Sequence, residues 1–258
     1  MNDKFSRLWN TKNKDDEWWS SFVTAPLAIL FSYAVADIKG VTPNQITLLS
    51  FLTAVLSALF IIAGGSTNFL IAAILIHLSH VFDCMDGQIA RYRKTSSASG
   101  SYFDRVTDQI QVMIWFGAVG YAASLQSSTV LPVFLSLIGV AFYSLRGYVK
   151  YVAIHVEMSR DHSYLEKIAQ NVQVNKKGVV AGPGFSVLAN LRWFLSEQQK
   201  ILKFDEGVFI FMLSFSLVLD QLTPMLWVFA ASQLFYGVFR IIQRGRNIER
   251  NEQILIEK

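Results

Sequence analysis

Cysteine occurs once in the 258 residues, at Cys84, so no disulfide can form within the chain and the redox compartment stays open. Charge is scarce as well. Asp, Glu, Lys and Arg make up 16% of the residues, where a soluble domain carries roughly 25%. The formal net charge of +4 is too modest for a nucleic-acid face, and on so apolar a chain it reads as basic residues flanking a membrane. No internal repeat is apparent. The first twenty residues are polar and charged and do not read as a cleavable leader. What the chain has in abundance is apolar: 52% of residues are hydrophobic and the mean hydropathy is +0.36, the composition of an integral membrane protein.

The apolar residues fall into segments that predict an all-α architecture of six transmembrane helices preceded by an interfacial amphipathic helix. Residues 1–17 are polar and expected to be mobile. Residues 18–39 are aromatic-rich but interrupted by Pro26, which suits a helix lying in the interface with Trp18 and Trp19 at its polar boundary. Thr42 can cap a helix that Pro43 begins, and spans follow from Ile46 to Ala63 and from Phe69 into a polar stretch at His77. A third span holds Asp104 and Asp108 in its first turns, and a fourth runs from Val130 to Tyr148. The last two cover Val208–Leu219 and Met225–Ile242. Three divisions result: an N-terminal interfacial segment (1–40), a membrane domain (41–242) with an insertion at 150–206, and a charged tail (243–258). Phe185–Leu202 within the insertion is amphipathic, and Gly178 and Gly182-Pro183-Gly184 punctuate it.

The connections at 64–68, 124–128 and 220–224 contain one charged residue, Asp220, while the others hold the Lys and Arg residues. The positive-inside rule therefore puts both termini, the 91–100 connection and the 150–206 segment in the cytoplasm.

Four carboxylates stand where the second and third spans meet. On a helix Asp83 and Asp86 lie about 60° apart, and Asp104 and Asp108 about 40° apart, so each pair shares a face. A short connection can turn the two faces toward each other. Four like charges so placed near a membrane need cations to neutralise them. Hard divalent ions such as Mg²⁺ take carboxylate oxygens and accept phosphate oxygens beside them. The residues alone thus predict a metal site that holds a phosphorylated substrate, at the cytoplasmic end of the helices.

The full spacing, from Asp83 through Asp86, Gly87, Ala90, Arg91, Gly100 and Asp104 to Asp108, resembles the signature of the CDP-alcohol phosphotransferase family at all its fixed positions. The Pro43-Asn44-x-Ile46-Thr47 opening of the first span resembles that family too. The resemblance implies a six-helix membrane enzyme, usually a homodimer. It would transfer a substituted phosphate from a CDP-linked donor to an acceptor alcohol and release CMP, in phospholipid synthesis. Asp83, Asp86, Asp104 and Asp108 would hold Mg²⁺ or Mn²⁺, with Asp108 also the general base. Gly87, Ala90, Arg91 and Gly100 would meet the cytidine diphosphate moiety. Arg105, Arg146 and Lys150 are candidates for meeting an anionic acceptor, such as a phosphorylated alcohol.

Other readings remain open at this point. Cys84 reads as a buried inert thiol. His77 and His80 form an H-x2-H, but zinc needs further nitrogen or sulfur ligands, so polar packing behind the site is the expectation. The donor could be CDP-diacylglycerol or a CDP-activated polar alcohol, including CDP-inositol in an inositol-phosphate transferase. An aspartate-rich membrane prenyltransferase would leave Gly87, Ala90-Arg91 and Gly100 without a reason to be fixed. A divalent-cation transporter would place carboxylates along a path rather than at one edge.

Overall fold

A computed structural model of the chain describes residues 3–12, 17–168, 187–198 and 201–250. Gly178, Gly182–Gly184 and the tail beyond 250 lie outside the described residues. All regular structure among the described residues is helical: α1 (Asp3–Trp9), a π-helical turn (Ser20–Thr24) leading into α2 (Ala25–Val35), α3 (Pro43–Ala63), α4 (Ser66–Arg93), α5 (Ala98–Ser127), α6 (Leu131–Arg160), α7 (Val187–Gln198), α8 (Glu206–Val218) and α9 (Leu222–Glu249).

Local chemistry sets the boundaries near the carboxylates. Thr42 caps α3 reciprocally: its Oγ1 accepts from the Gln45 amide at 3.3 Å, and Gln45 Oε1 accepts from the Thr42 amide at 2.9 Å. Gly64 and Gly65, with φ of +71° and +85°, turn the chain directly into α4, a conformation that side chains disfavour. The α4 helix ends at Lys94 in the left-handed region, and Ser97 Oγ caps α5 by accepting from the Gly100 amide at 3.0 Å. Only Lys94–Ser97 therefore separate the two helices that carry the aspartates.

The α3 helix packs along α4 and α5, α6 pairs with α9, and α8 lies against α4. Their shared core contains Phe69, Ile76, Trp115, Phe116, Phe209, Leu213 and Phe229. Phe116 and Phe229 stack at 3.8 Å, and Trp115 Nε1 donates to Ser57 Oγ at 2.7 Å. Small residues permit the close approach of helices without a hydrophobic drive between them: Gly139 sits against Phe229 and Gly237 against Phe142. The outer faces are apolar as well, with Leu48, Leu52, Leu56 and Leu59 exposed in a stripe on α3. So large an uncovered apolar surface fits a lipid environment.

Among the described residues, four helices are long and apolar enough to cross a membrane: α3, α4, α6 and α9. The α5 helix matches α6 in length, at 30 residues, but opens with Asp104, Arg105, Asp108 and Gln109. The α8 helix has 13 residues. Six spans were expected, and four meet the criterion outright.

Three sequence expectations change. Residues 3–12, expected to be mobile with the rest of 1–17, form α1 and a turn whose Leu8 is fully buried beside Ile29 and Ala36. Trp18 and Trp19 were assigned to the lipid interface but pack inward, Trp18 on Phe194 and Phe211 and Trp19 on Phe211 and His77. The helix of the fourth span runs on past Tyr148 into the expected insertion: α6 continues to Arg160, because nothing between them breaks a helix. The amphipathic stretch at 185–202 contains α7, which buries none of its residues within the chain.

Candidate active site

Turning α4 into α5 through four residues brings the predicted carboxylates together. Carboxylate oxygens of Asp83, Asp104 and Asp108 lie within 4.8 Å of one another. Asp86, one turn beyond Asp83 and buried, accepts a short hydrogen bond from Thr47 Oγ1 at the start of α3. Asp83 Oδ1 is buried with no hydrogen-bond partner. Three helices thus meet at one end of the molecule around an acidic cluster.

Beside the cluster opens a cavity of about 1140 Å³, lined among others by Asp86, Asp104, Gly87, Ala90, Arg91 and Gly100. The four residues assigned to the nucleotide therefore share one space with two of the aspartates. A side chain at Gly87 would project to 3.0 Å from Arg91 Nη1, and one at Gly100 to 3.0 Å from Ser97 Oγ and 3.5 Å from Asn44 Oδ1. Their lack of a side chain keeps the cavity open. Thr42, Pro43, Asn44 and Thr47 form part of its wall, which locates the polar opening of α3 at the cavity.

Several lining residues were not foreseen. Arg7 of α1 reaches the cavity, and Arg91 Nε donates to the Thr11 carbonyl at 2.7 Å, so the N-terminal segment closes one side. Asp37 stands at the rim, where Lys4 at 2.5 Å holds its carboxyl below the usual range. Arg93 donates to the carbonyls of Val35, Ala36, Ile38 and Val41, fixing the α2–α3 connection to the end of α4. Gln88 ties α2 down by donating to the Ala25 carbonyl at 3.1 Å and accepting from Ser32 Oγ at 3.3 Å. No short motif signals these tertiary contacts.

The three basic residues considered for the acceptor do not converge on this cavity. Arg105 is exposed and donates to Tyr151 Oη at 3.1 Å. Arg146 is engaged internally: Nη1 donates to the Lys203 carbonyl and to Gln233 Oε1, both at 2.6 Å, and Nη2 lies 3.6 Å from Asp205. Lys150 is half-buried one turn further along α6. Arg146 in this arrangement joins α6 to α9 and to the turn before α8.

Behind the cluster, His77 packs against Trp19 with the rings tilted by 43°, and His80 is buried with Nε2 at 2.9 Å from Ser20 Oγ. Glu206, at the start of α8, comes within 4.8 Å of His80 and Asp83. Sequence alone gave no reason to pair Glu206 with α4, since more than a hundred residues intervene.

A sequence model of the CDP-alcohol phosphatidyltransferases matches residues 40–236. Two curated archaeal relatives, each named bifunctional IPC transferase and DIPP synthase, are similar over shorter stretches. The Thermococcus kodakarensis protein is 30% identical over 125 residues, which is 48% of this chain and 28% of that one. The Archaeoglobus fulgidus protein is 32% identical over 98 residues, 38% of this chain and 19% of that one. The matched stretches thus span less than a third of the length of these relatives. Among solved structures, the Mycobacterium tuberculosis phosphatidylinositol phosphate synthase with CDP-DAG bound has a similar fold. Its TM-score is 0.55 at 17% identity, over 86% of this chain and 93% of that one. With most of the chain matched by the family's sequence pattern and the signature residues gathered around one cavity, this protein belongs to the CDP-alcohol phosphatidyltransferase family.

Proposed function

We propose that this protein is a multi-pass membrane transferase that moves a substituted phosphate from a CDP-linked donor to an acceptor alcohol, releasing CMP, in phospholipid synthesis. The observation that carries this reading is the junction of the acidic cluster with the cavity lined by Gly87, Ala90, Arg91 and Gly100. A nucleotide diphosphate needs both: room for the nucleoside and cation-binding oxygens for the phosphates.

The residues fit a divalent ion. The donor set is all carboxylate, the oxygens of Asp83, Asp104 and Asp108 are close enough to share a cation, and Asp83 Oδ1 lacks any other partner. Asp83, Asp86, Asp104 and Asp108 would hold Mg²⁺ or Mn²⁺. The chemistry supplied by such an ion when bound is neutralisation of the pyrophosphate and of the departing CMP. Thr47 orients Asp86 by its hydrogen bond. Gly87, Ala90 and Gly100 leave space for the nucleoside, and Arg91 pairs with phosphate. Asp108 accepts the proton of the acceptor hydroxyl as its oxygen forms the new bond to phosphorus and the bond to CMP breaks.

The finer architecture belongs to the same proposal. It has an interfacial segment (1–40), six spans made by α3–α6, α8 and α9 (41–242, with the 150–206 insertion), and a charged tail (243–258). The sparsely charged connections at 64–68, 124–128 and 220–224 support a cytoplasmic site and cytoplasmic termini. A homodimer is the assembly that the family resemblance implies. Arg105 and Lys150 would meet the acceptor outside the main cavity, with Arg146 supporting the helix ends between them.

The test is a panel of donors and acceptors. Purified protein is supplied with CDP-diacylglycerol or CDP-activated polar alcohols, CDP-inositol among them, and CMP release is followed with Mg²⁺, with Mn²⁺ and with chelator. Metal-dependent release from one donor class is the expected result. Absence of release from every donor, alongside nucleotide-independent ion flux in vesicles, would replace the enzyme with a cation transporter.

A further inference from the structure

His80 is 4% exposed, and its hydrogen bonds fix where its proton lies. Ser20 Oγ donates to Glu17 Oε1, and Glu17 is an acceptor there because the same oxygen also receives the Gly207 amide at 2.5 Å. With its only proton used, Ser20 Oγ must accept from His80, so the 2.9 Å contact carries the imidazole proton on Nε2. In the neutral imidazole the other ring nitrogen, Nδ1, then carries a bare lone pair. It is buried without a hydrogen-bond partner and faces Glu206 Oε1 at 3.6 Å, beyond hydrogen-bond reach. Asp83 Oδ1, also buried and unpartnered, completes the group, and the ligand atoms of all three residues lie within 4.8 Å of one another. Electron-rich atoms converging beside a buried imidazole, with Glu206 at the more open side, repel one another unless a cation lies between them.

We propose that His80 Nδ1, Asp83 and Glu206 form a second divalent-cation site, sharing Asp83 with the four-carboxylate cluster but otherwise distinct from it. One imidazole and two carboxylates suit borderline ions such as Mn²⁺, Co²⁺ or Zn²⁺ better than Mg²⁺, which prefers oxygen alone. The Ser20–Glu17 pair behind Nε2 is the kind of support that metal-bound histidines carry, fixing the tautomer and the ring orientation. Such an ion joins the first turn of α8 to the middle of α4, so it anchors the end of the 150–206 segment beside the acidic cluster.

The experiment loads the full-length protein, without a polyhistidine tag, with Mn²⁺ in detergent and in the absence of any nucleotide. Pulsed EPR then reads nitrogen modulation from directly bound imidazole. The modulation is expected in the unaltered protein and in His77→Gln, and is expected to disappear in His80→Gln and Glu206→Gln. Ser20→Ala should weaken Mn²⁺ binding at this site on the order of 10–100-fold. Bound Mn²⁺ with no nitrogen modulation in the unaltered protein overturns the proposal and leaves His80 as an imidazolium paired with Glu206. Modulation that persists in His80→Gln overturns it too. If His80→Gln does not fold, the unaltered spectrum and the near-isosteric Glu206→Gln decide. Because no CDP-alcohol is present, a missing nitrogen signal and a missing transfer reaction are separate failures.

Discussion

The two halves of α4 differ in what they bury. From Ser66 to Ile76 the helix buries Phe69, Ala72, Ala73 and Ile76 in a core otherwise made of rings and methyl groups. From His77 to Arg93 it still buries Val81, Met85 and Ile89 in a smaller apolar cluster, but between them it also buries Ser79, His80, Asp86 and Gln88, polar groups whose burial costs desolvation that hydrogen bonds must offset. The first half holds the bundle together. The second holds groups that would be more stable elsewhere, as functional sites do. Packing thus runs the whole length of the helix, while chemistry is confined to its second half.

The sharpest way to break this contrast is to change the acidic cluster that the polar half builds with α5, without touching its shape. Asp108→Asn should lower turnover by about 10²–10⁴-fold, the usual contribution of a general base, while donor binding and the unfolding midpoint stay close to those of the parent. Undiminished turnover would remove Asp108 from the base role. The complementary change is Phe229→Ala, on α9, in the core that the apolar half of α4 joins. Loss of a fully buried ring that stacks on Phe116 should cost about 3–5 kcal/mol of stability. Thermal unfolding in detergent would read that loss, with turnover of the folded fraction preserved. A folded Phe229→Ala protein without activity would mean that the halves are not separable.

A smaller effect is expected between them. Thr47→Val keeps the volume but removes the donor to Asp86, which should weaken divalent binding on the order of 10-fold, read as a shift in the Mg²⁺ concentration for half-maximal turnover. The smallest is far from both halves. Lys167 and then Ser163 hold the Asp161 carboxyl at about 2, against an ordinary 3.8. A carboxyl lowered on folding stabilises above its ordinary value and loses that contribution as pH falls through the folded one. Lys167→Met should therefore leave turnover at neutral pH unchanged. Its unfolding midpoint should differ from the parent's only above about pH 2, and an altered turnover would tie this exposed pair to the site.

The acidic cluster was readable because its information is local. Two helical pairs three and four residues apart, and a connection too short to wander, leave the four aspartates little choice but to meet. The small residues at Gly87, Ala90 and Gly100 follow from the same spacing. What sequence could not supply are partners brought in by tertiary packing: Thr47 for Asp86, the Thr11 carbonyl for Arg91, and Glu206 for His80 and Asp83. Each lies on an element whose own periodicity says nothing about which face of α4 it will meet. Arg146 shows the converse. Its position at the inner end of a span resembled a substrate-binding arginine, yet its guanidinium is held by Lys203, Gln233 and Asp205. The Trp18–Trp19 pair misled in a similar way, since indoles suit both a lipid boundary and an aromatic core.

The four-residue link between α4 and α5 has a bearing on how the molecule is made. Every one of the four aspartates belongs to a single helical hairpin that leaves the ribosome as one uninterrupted piece, whereas Glu206 emerges roughly 5–20 s later at ordinary elongation rates. The acidic hairpin must therefore enter the bilayer and wait, its like charges tempered only by water and ions at the surface, until α8 arrives. Ambient divalent cations have an opportunity to act as an assembly aid well before α8 is in place.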